Sequence, residues 1–231
     1  MTRASTARKE EIHESRVEAP LAVLVAVVLQ CLLAADSLAN GWNLWFLPGW
    51  TWLIAVIPEL ILVLVLWLPP ARRQVDKVNA RRYLSIGLVA VMGIANALAL
   101  VGLIGSLLTD HEHEARTLLL KGFTVWGVNV ITFGLLYWEL DGGGPDARLA
   151  KRKPHNQDFQ FPQQENPGLV SQPWYPRLFD YVYTSFTNSI AFSPTDAMPI
   201  THRAKVLMML EATVSAISVL LVIARSVNIM N

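Results

Sequence analysis

Residues 83–108 read YLSIGLVAVMGIANALALVGLIGSLL, and none of them carries a charge. A membrane-spanning helix needs about 20 predominantly apolar residues, because the hydrocarbon core of a bilayer is about 30 Å thick. Four further stretches are long and predominantly apolar, at residues 20–39, 51–68, 122–140 and 206–230. The sequence therefore predicts an all-α, polytopic transmembrane protein with five firm membrane helices.

Composition and charge exclude several classes of protein. Of the 231 residues, 53% are hydrophobic and 16% are charged, against about a quarter charged in a typical soluble domain. The net charge is +1 and no basic run alternates with aromatic residues, so we expect no nucleic-acid partner. Cys31 is the only cysteine, which excludes an internal disulfide and a paired-cysteine metal or redox site.

Motifs for catalysis or metal binding are weak in this sequence. Residues 111–114 read HEHE, but two histidines two positions apart converge only on an extended chain, unlike the HExxH motif of a metal-binding helix. We expect a solvated loop there rather than a metal site. The sequence also lacks a serine-nucleophile motif and a phosphate-binding loop. It therefore predicts neither an enzyme nor a bound cofactor.

The distribution of charge and proline divides the chain into four regions. Residues 1–19 are polar and mixed in charge and form a retained N-terminal segment. Residues 20–140 hold the first four membrane helices. Residues 141–177, rich in Pro, Gln, Asn and charge, form an extramembrane loop. Residues 178–231 hold a short apolar and aromatic stretch, 178–200, and the last helix; the stretch is either a short sixth crossing or a re-entrant segment.

Lysine and arginine are distributed unevenly among the loops. They cluster in residues 1–19, 69–82 and 141–177, whereas the loop at 40–50 has none and is rich in tryptophan. Cytoplasmic loops carry the excess of positive charge, and tryptophan prefers the membrane interface. We therefore expect the three basic regions to be cytoplasmic. If residues 178–200 cross the membrane, the C-terminus is cytoplasmic as well as the N-terminus.

Polar residues inside the predicted spans are candidates for function, because charge is costly in lipid. Glu59 and Glu211 are either ion or proton sites, or carboxyl groups that are protonated or bonded to a neighbouring helix. Glu139 lies near a helix end, where interfacial water suffices to solvate it. Asn96 and Asn129 are expected to form hydrogen bonds between helices.

Residues 179–228 combine a short aromatic helix, an irregular turn with an acidic residue, and a long apolar helix with an early glutamate. This unit resembles the pore helix, filter and inner helix of pore-loop potassium channels, with YTSFT at 183–187 as the pore helix and SIAFS at 189–193 as the filter. The filter is degenerate, because such channels use glycine where Ala191 and Ser193 stand. The resemblance implies an ion path formed by Ser189, Ile190, Ala191, Phe192, Ser193 and Asp196, with Glu211 and Glu59 in support.

A second resemblance covers three short signatures in the C-terminal part of the chain. They are ELDGGGP at 139–145, DFQFPQ at 158–163 and AFSPTD at 191–196. Together they are similar to an uncharacterised family of bacterial integral membrane proteins. This resemblance implies the bacterial inner (plasma) membrane and gives no mechanism.

These observations predict a channel-like integral membrane protein that conducts monovalent cations through a degenerate filter. One pore loop per chain implies a homo-oligomer, with four chains around a common axis. The alternative is a non-conducting membrane scaffold or accessory subunit that keeps a channel-like core. A carrier built around Glu59 and Asn96 is a third hypothesis.

Overall fold

The described part of the chain forms long helices and two short strands. The computed structural model describes residues 17–41, 48–67, 75–108, 115–149, 157–166, 168, 170, 174–191 and 197–230. The helices are α1 (Ala19–Asn40), α2 (Trp52–Trp67), α3 (Val75–Leu108), α4 (Ala115–Leu140), α5 (Pro145–Leu149), α6 (Pro162–Glu165), α7 (Leu178–Ala191) and α8 (His202–Met230). The strands are β1 (Phe159–Gln160) and β2 (Met198–Pro199), which pair antiparallel.

Within the described ranges, four helices are long and apolar enough to cross a membrane. The spanning stretches are Ala19–Ala39, Arg82–Leu107, Arg116–Gly143 and His202–Ile223. The remaining predicted stretch, at residues 51–68, forms the shorter apolar helix α2. This helix has 16 residues and is therefore about 24 Å long. The prediction of a polytopic helical membrane protein is confirmed to the extent that four described helices have the length and composition needed to span a membrane.

Glycines end two of these helices where the chain must turn sharply. Gly41 follows α1 with φ of 70°, and its N–H donates to the Ser37 carbonyl. After α4, Gly142, Gly143 and Gly144 all have positive φ, at 58°, 87° and 93°. A side chain at such angles is strained, so this glycine run stops the helix and redirects the chain into α5.

Contacts along α4 show how the other long helices run. We call its two ends the Asp141 end and the Ala115 end. α3 begins near the Asp141 end, because the Ser85 hydroxyl donates to the Glu139 carboxylate at 2.7 Å. Further along, the Asn96 side chain donates to the Val125 carbonyl at 3.0 Å. α3 is therefore antiparallel to α4.

α1 also runs away from the Asp141 end. Near its last turn, Asp36 is 3.9 Å from Arg116, which lies at the Ala115 end of α4. α2 follows and returns, because Leu66 near its last turn is in the same buried cluster as Ala19 at the start of α1. The bundle therefore alternates direction from α1 through α4.

α8 begins at the Asp141 end and runs antiparallel to α4. Arg203 in its first turn donates to the Leu140 carbonyl at 3.2 Å. At the other end, a β-carbon built on Gly122 would be 2.5 Å from the Val222 side chain. The starts of α1 and α8 therefore lie at the same end of the bundle, and the last described turn of α8 lies at the other end.

α7 also starts at the Asp141 end and runs inward beside α4. Tyr181 in its first turns donates to Asp141 at 2.5 Å. Its last turn is level with Trp126, whose indole N–H donates to the Ser189 hydroxyl at 3.1 Å. At 14 residues, α7 reaches about 21 Å along the bundle.

The chain is back at the Asp141 end within a few residues of the end of α7. In the β1–β2 pair, Phe159 lies opposite Pro199. The Ile200 N–H donates to the Asp158 carbonyl at 2.8 Å, and the Asp158 N–H donates to Asp141 at 2.6 Å. Both ends of the stretch 178–200 therefore lie at the same end of the bundle.

Candidate functional site

α7 has an inverted pattern of burial. Its exposed side chains are the apolar and aromatic residues Phe179, Tyr183, Phe186 and Ile190. Its buried side chains include the polar residues Thr184, Ser185, Asn188 and Ser189. A helix that contacts lipid turns its apolar residues outward and its polar residues inward, because the polar groups need hydrogen-bond partners inside the protein.

The buried face of α7 contributes to a cluster of six polar side chains between three helices. We call it the central polar cluster, and all its members are at most 3% exposed. Its members are Asn129 and Tyr137 on α4, Ser185 and Asn188 on α7, and Glu211 and Ser215 on α8. The cluster is the only part of the described structure in which α4, α7 and α8 exchange side-chain hydrogen bonds with one carboxyl group.

Glu211 is the centre of this cluster and is fully buried. Its Oε2 accepts a hydrogen bond from the Tyr137 hydroxyl at 2.5 Å and another from Asn188 Nδ2 at 2.7 Å. Its Oε1 is in short contact with the Ser185 hydroxyl. Both carboxyl oxygens are thus bonded, which offsets the cost of placing an acidic group in an apolar interior.

Two asparagines extend the cluster to the helix backbones. Asn188 Nδ2 also donates to the Met208 carbonyl at 3.0 Å. Asn129 Nδ2 donates to the Ser215 hydroxyl at 2.9 Å and to the Glu211 carbonyl at 3.2 Å. The prediction that Asn129 bonds to another helix is confirmed, as it is for Asn96. These bonds fix α7 and α8 at one register on α4.

A second polar group lies at the Asp141 end, where the loop after α4 covers the bundle. Asp141 is 1% exposed and accepts hydrogen bonds from the backbone N–H groups of Asp158 and Phe159, at 2.6 and 3.2 Å, and from Tyr181. Asp158 is 3% exposed and forms an ion pair with Arg203. We call this group the interfacial cap; it connects the loop to both α7 and α8.

Arg148 and a set of aromatic rings complete the interfacial cap. The Arg148 guanidinium lies 5.0 Å from the centre of the Tyr181 ring and donates to the Trp138 carbonyl at 2.7 Å. Around this point five aromatic rings are in contact: Tyr137, Phe159, Phe161, Trp174 and Tyr181. The loop is therefore held by cation–π and ring contacts as well as by carboxylates.

Sequence reasoning missed the interfacial cap. It assigned residues 141–177 to a loop and found no role for Asp141 or Asp158. The available signal was that both aspartates lie in the short signatures, ELDGGGP and DFQFPQ, that the sequence analysis singled out. Their roles depend on contacts with Tyr181 and Arg203, which lie far along the chain.

Three of the six predicted ion-path residues lie in the last turn of α7. Ser189, Ile190 and Ala191 are helical, so the helix continues past Thr187, where the channel resemblance ends the pore helix. The Ser189 hydroxyl donates to the Phe186 carbonyl at 2.8 Å, and Ile190 is 53% exposed. The other three, Phe192, Ser193 and Asp196, lie outside the described residues.

The two supporting glutamates are not brought together. Glu211 contacts α7 at Ser185 and Asn188, whereas Glu59 lies on α2 and is bonded to Gln30 of α1 at 2.5 Å. Among the described residues, no group of three or more His, Cys, Asp or Glu could hold a metal ion. The HEHE run at 111–114 is outside that part of the chain.

Comparisons with known proteins give no family assignment. No protein-family model, curated protein or solved structure matches the chain. The class that the fold and the site define is a helical membrane protein with a hydrogen-bonded polar cluster in its interior and a cap at one end.

Proposed function

We propose that this chain is a channel-like integral membrane protein in which residues 178–200 enter and leave the membrane on one side. One observation carries this proposal: α7 runs about 21 Å inward from the Asp141 end, and β2 lies back at that end beside β1. Five helices, α1 to α4 and α8, would then cross the membrane. α7 would be the re-entrant element between the last two.

The direction of α7 supports a role in stabilising cations. A helix carries a partial negative charge at its C-terminal end, where the last carbonyls lack helical partners. In α7 this end, at Ser189–Ala191, is the one inside the bundle. Pore-loop channels use short helices and backbone carbonyls in this way to replace the water around an ion. Monovalent cations are therefore the proposed substrates.

The central polar cluster supports the same proposal by giving α7 a fixed position. A re-entrant helix is tolerated at membrane depth only where protein or water satisfies its polar groups. Glu211 and Asn129 bring α8 and α4 into hydrogen-bonded contact around α7. Glu211 would then brace the pore helix, and the ion path would follow Ser189 and the residues after it.

We further propose that the Asp141 end is cytoplasmic and that the membrane is the bacterial inner membrane. Four described arginines lie at or near this end: Arg82, Arg148, Arg177 and Arg203. Positive charge favours the cytoplasmic side. With five crossings, the end of α8 lies opposite the start of α1. This differs from the expectation of two cytoplasmic termini, which required residues 178–200 to cross.

A non-conducting scaffold or accessory subunit is the second candidate, and a specific observation favours it. The polar side chains on the buried face of α7 are satisfied within one chain, and Ser189–Ala191 belong to the helix itself. A channel of the proposed kind needs several re-entrant loops around one axis, and therefore a closed homo-oligomer, with four copies the expected number. A scaffold needs no such closure.

Ion flux tests the proposal directly. The purified protein is placed in liposomes, and potassium and sodium flux are measured for the wild type, for Ser189→Ala and for Asp196→Asn. Thr213→Ala is the matched control, because Thr213 is exposed and its hydroxyl donates to the Met209 carbonyl of its own helix. The channel proposal requires flux that the first two variants change and the control does not. Absence of flux from folded protein, at every gradient and voltage, would favour the scaffold.

A further inference from the structure

Gln30 on α1 and Glu59 on α2 form an isolated polar pair inside the bundle. Glu59 is fully buried and Gln30 is 4% exposed. The Gln30 amide N–H donates to Glu59 Oε1 at 2.5 Å. The pair stands apart from the central polar cluster, whose members lie on α4, α7 and α8.

The remaining oxygen of each side chain has no partner. Glu59 Oε2 and Gln30 Oε1 are both buried without a hydrogen bond from any described residue. An ionised carboxylate and an amide oxygen can only accept hydrogen bonds, so neither can satisfy the other. Leaving two acceptors unsatisfied in an apolar interior is unfavourable, and the pair lacks one donor.

We infer that Glu59 and Gln30 form a buried binding site for one proton. The proton adds to the Glu59 carboxylate and gives a carboxylic acid, whose O–H is the missing donor for Gln30 Oε1. The Gln30 amide continues to donate to the other carboxyl oxygen. Acid and amide then bond reciprocally, and no polar atom of the pair is left without a partner.

No charged residue in the described part of the chain bonds to the free oxygens of this pair. Glu59 is the only charged residue of α2, and Asp36, the only one of α1, lies about 9 Å further along from Gln30 and is near Arg116. α3 has no charged residue after Arg82. The charged residues of α4 lie toward its two ends: Arg116 and the buried Lys121 near the Ala115 end, and Glu139 near the Asp141 end.

A metal ion fits this pair less well than a proton. Calcium takes six to eight oxygen ligands and magnesium needs a nearly octahedral set, whereas this pair offers two free oxygens. Release of the proton would leave a carboxylate oxygen beside an amide oxygen, without a donor between them. The contact between α1 and α2 would then weaken, so occupancy of the site controls how firmly these helices are joined.

Infrared spectroscopy of the full-length protein in bilayers tests this inference. At neutral pH an ordinary glutamate is ionised, so a carbonyl band of a protonated carboxyl group that shifts in D₂O reports a buried acid. We expect this band in the wild type and its loss in Glu59→Gln. Glu139→Gln is the matched control: Glu139 is also buried and bonded to another helix, but its known donor is the Ser85 hydroxyl. Identical acid bands in the wild type and Glu59→Gln would overturn the inference.

Two further measurements keep the test decisive if Glu59→Gln does not fold. Gln30→Leu retains the acid and removes its amide partner, so the band must persist at a shifted frequency. In the wild type, raising the pH must remove the band with release of one proton per chain. Absence of the band at neutral pH would overturn the inference. So would wild-type stability that depends on sodium concentration instead of pH, because the site would then hold a metal cation. None of these readouts depends on ion conduction.

Discussion

Tyr137 on α4 and Glu211 on α8 are 74 positions apart in the sequence, and the tyrosine hydroxyl donates to the carboxyl group at 2.5 Å. Asn188 of α7 donates to the same carboxyl oxygen at 2.7 Å. One oxygen atom therefore joins three helices. Because the donors come from two different helices, the carboxyl group of Glu211 links α7 to both α4 and α8.

Glu211→Gln should destabilise the fold although it preserves the size of the side chain. The new amide turns an N–H₂ group toward donors, and at least one buried donor loses its partner, which costs about 1–3 kcal/mol. Thermal unfolding in detergent measures the difference. Thr213→Ala, on the exposed side of the same helix, should unfold like the wild type. Equal stability of Glu211→Gln and the wild type would contradict the importance of this acceptor.

Gly134→Ala should separate α7 from α4. A β-carbon at position 134 would lie 2.9 Å from the Cα atom of Val182, and backbone cannot move aside as a flexible side chain can. We expect a loss of about 1–3 kcal/mol, typical of overpacking. Gly87→Ala is the control, because nothing lies within 4 Å of its added carbon; its stability should stay within about 1 kcal/mol of the wild type. Equal effects of the two variants would argue against close packing of α7 on α4.

Cysteine labelling in sealed vesicles should show that residues 178–200 begin and end on one side. Cys31 is the only cysteine, so a Cys31→Ala background permits single probes. Tyr175→Cys and Met198→Cys, at exposed positions flanking α7, should react from the same side. Trp50→Cys, exposed at the Ala115 end before α2, should react from the other. Labelling of positions 175 and 198 from opposite sides would show that the stretch crosses.

The ion pair between Arg203 and Asp158 should be coupled energetically. Arg203→Gln leaves the buried Asp158 carboxylate with fewer donors, and we expect a loss of about 1–3 kcal/mol. Asp158→Asn combined with Arg203→Gln should cost less than the sum of the two single variants, since residues in direct contact are not additive. Unfolding of all four proteins measures the coupling; strict additivity would mean that the pair contributes nothing.

Much of the fold could be predicted from sequence because hydropathy is a local property. The uncharged run at 83–108 lies within α3, and the apolar stretch at 122–140 lies within α4. The length of a helix depends on more than hydropathy. α3 begins at Val75, among charged residues that lie outside the apolar stretch at 83–108. Pro69 and Pro70, which directly follow the apolar stretch of α2, predict that this helix ends early.

The candidate site was predicted only in part, because its partners are far apart in sequence. Glu211 was identifiable as an acidic residue inside an apolar helix. Its donors were not, since Ser185 and Asn188 in a short aromatic segment and Tyr137 in a long apolar helix give no signal until α7 is placed between α4 and α8. The resemblance to pore-loop channels suggested a pore helix at 183–187 followed by a filter from Ser189, whereas the helix continues through Ala191.

The inverted burial of α7 has a consequence for biogenesis. A nascent segment with Asn188 on its buried face cannot enter lipid alone at low cost, because the partners of Asn188, Met208 and Glu211, are both on α8. Its insertion must therefore wait until α8 has been synthesised and has joined α4. Ribosome-bound chains that end before Glu211 should keep this segment outside the bilayer, and complete chains should draw it in as their final folding step.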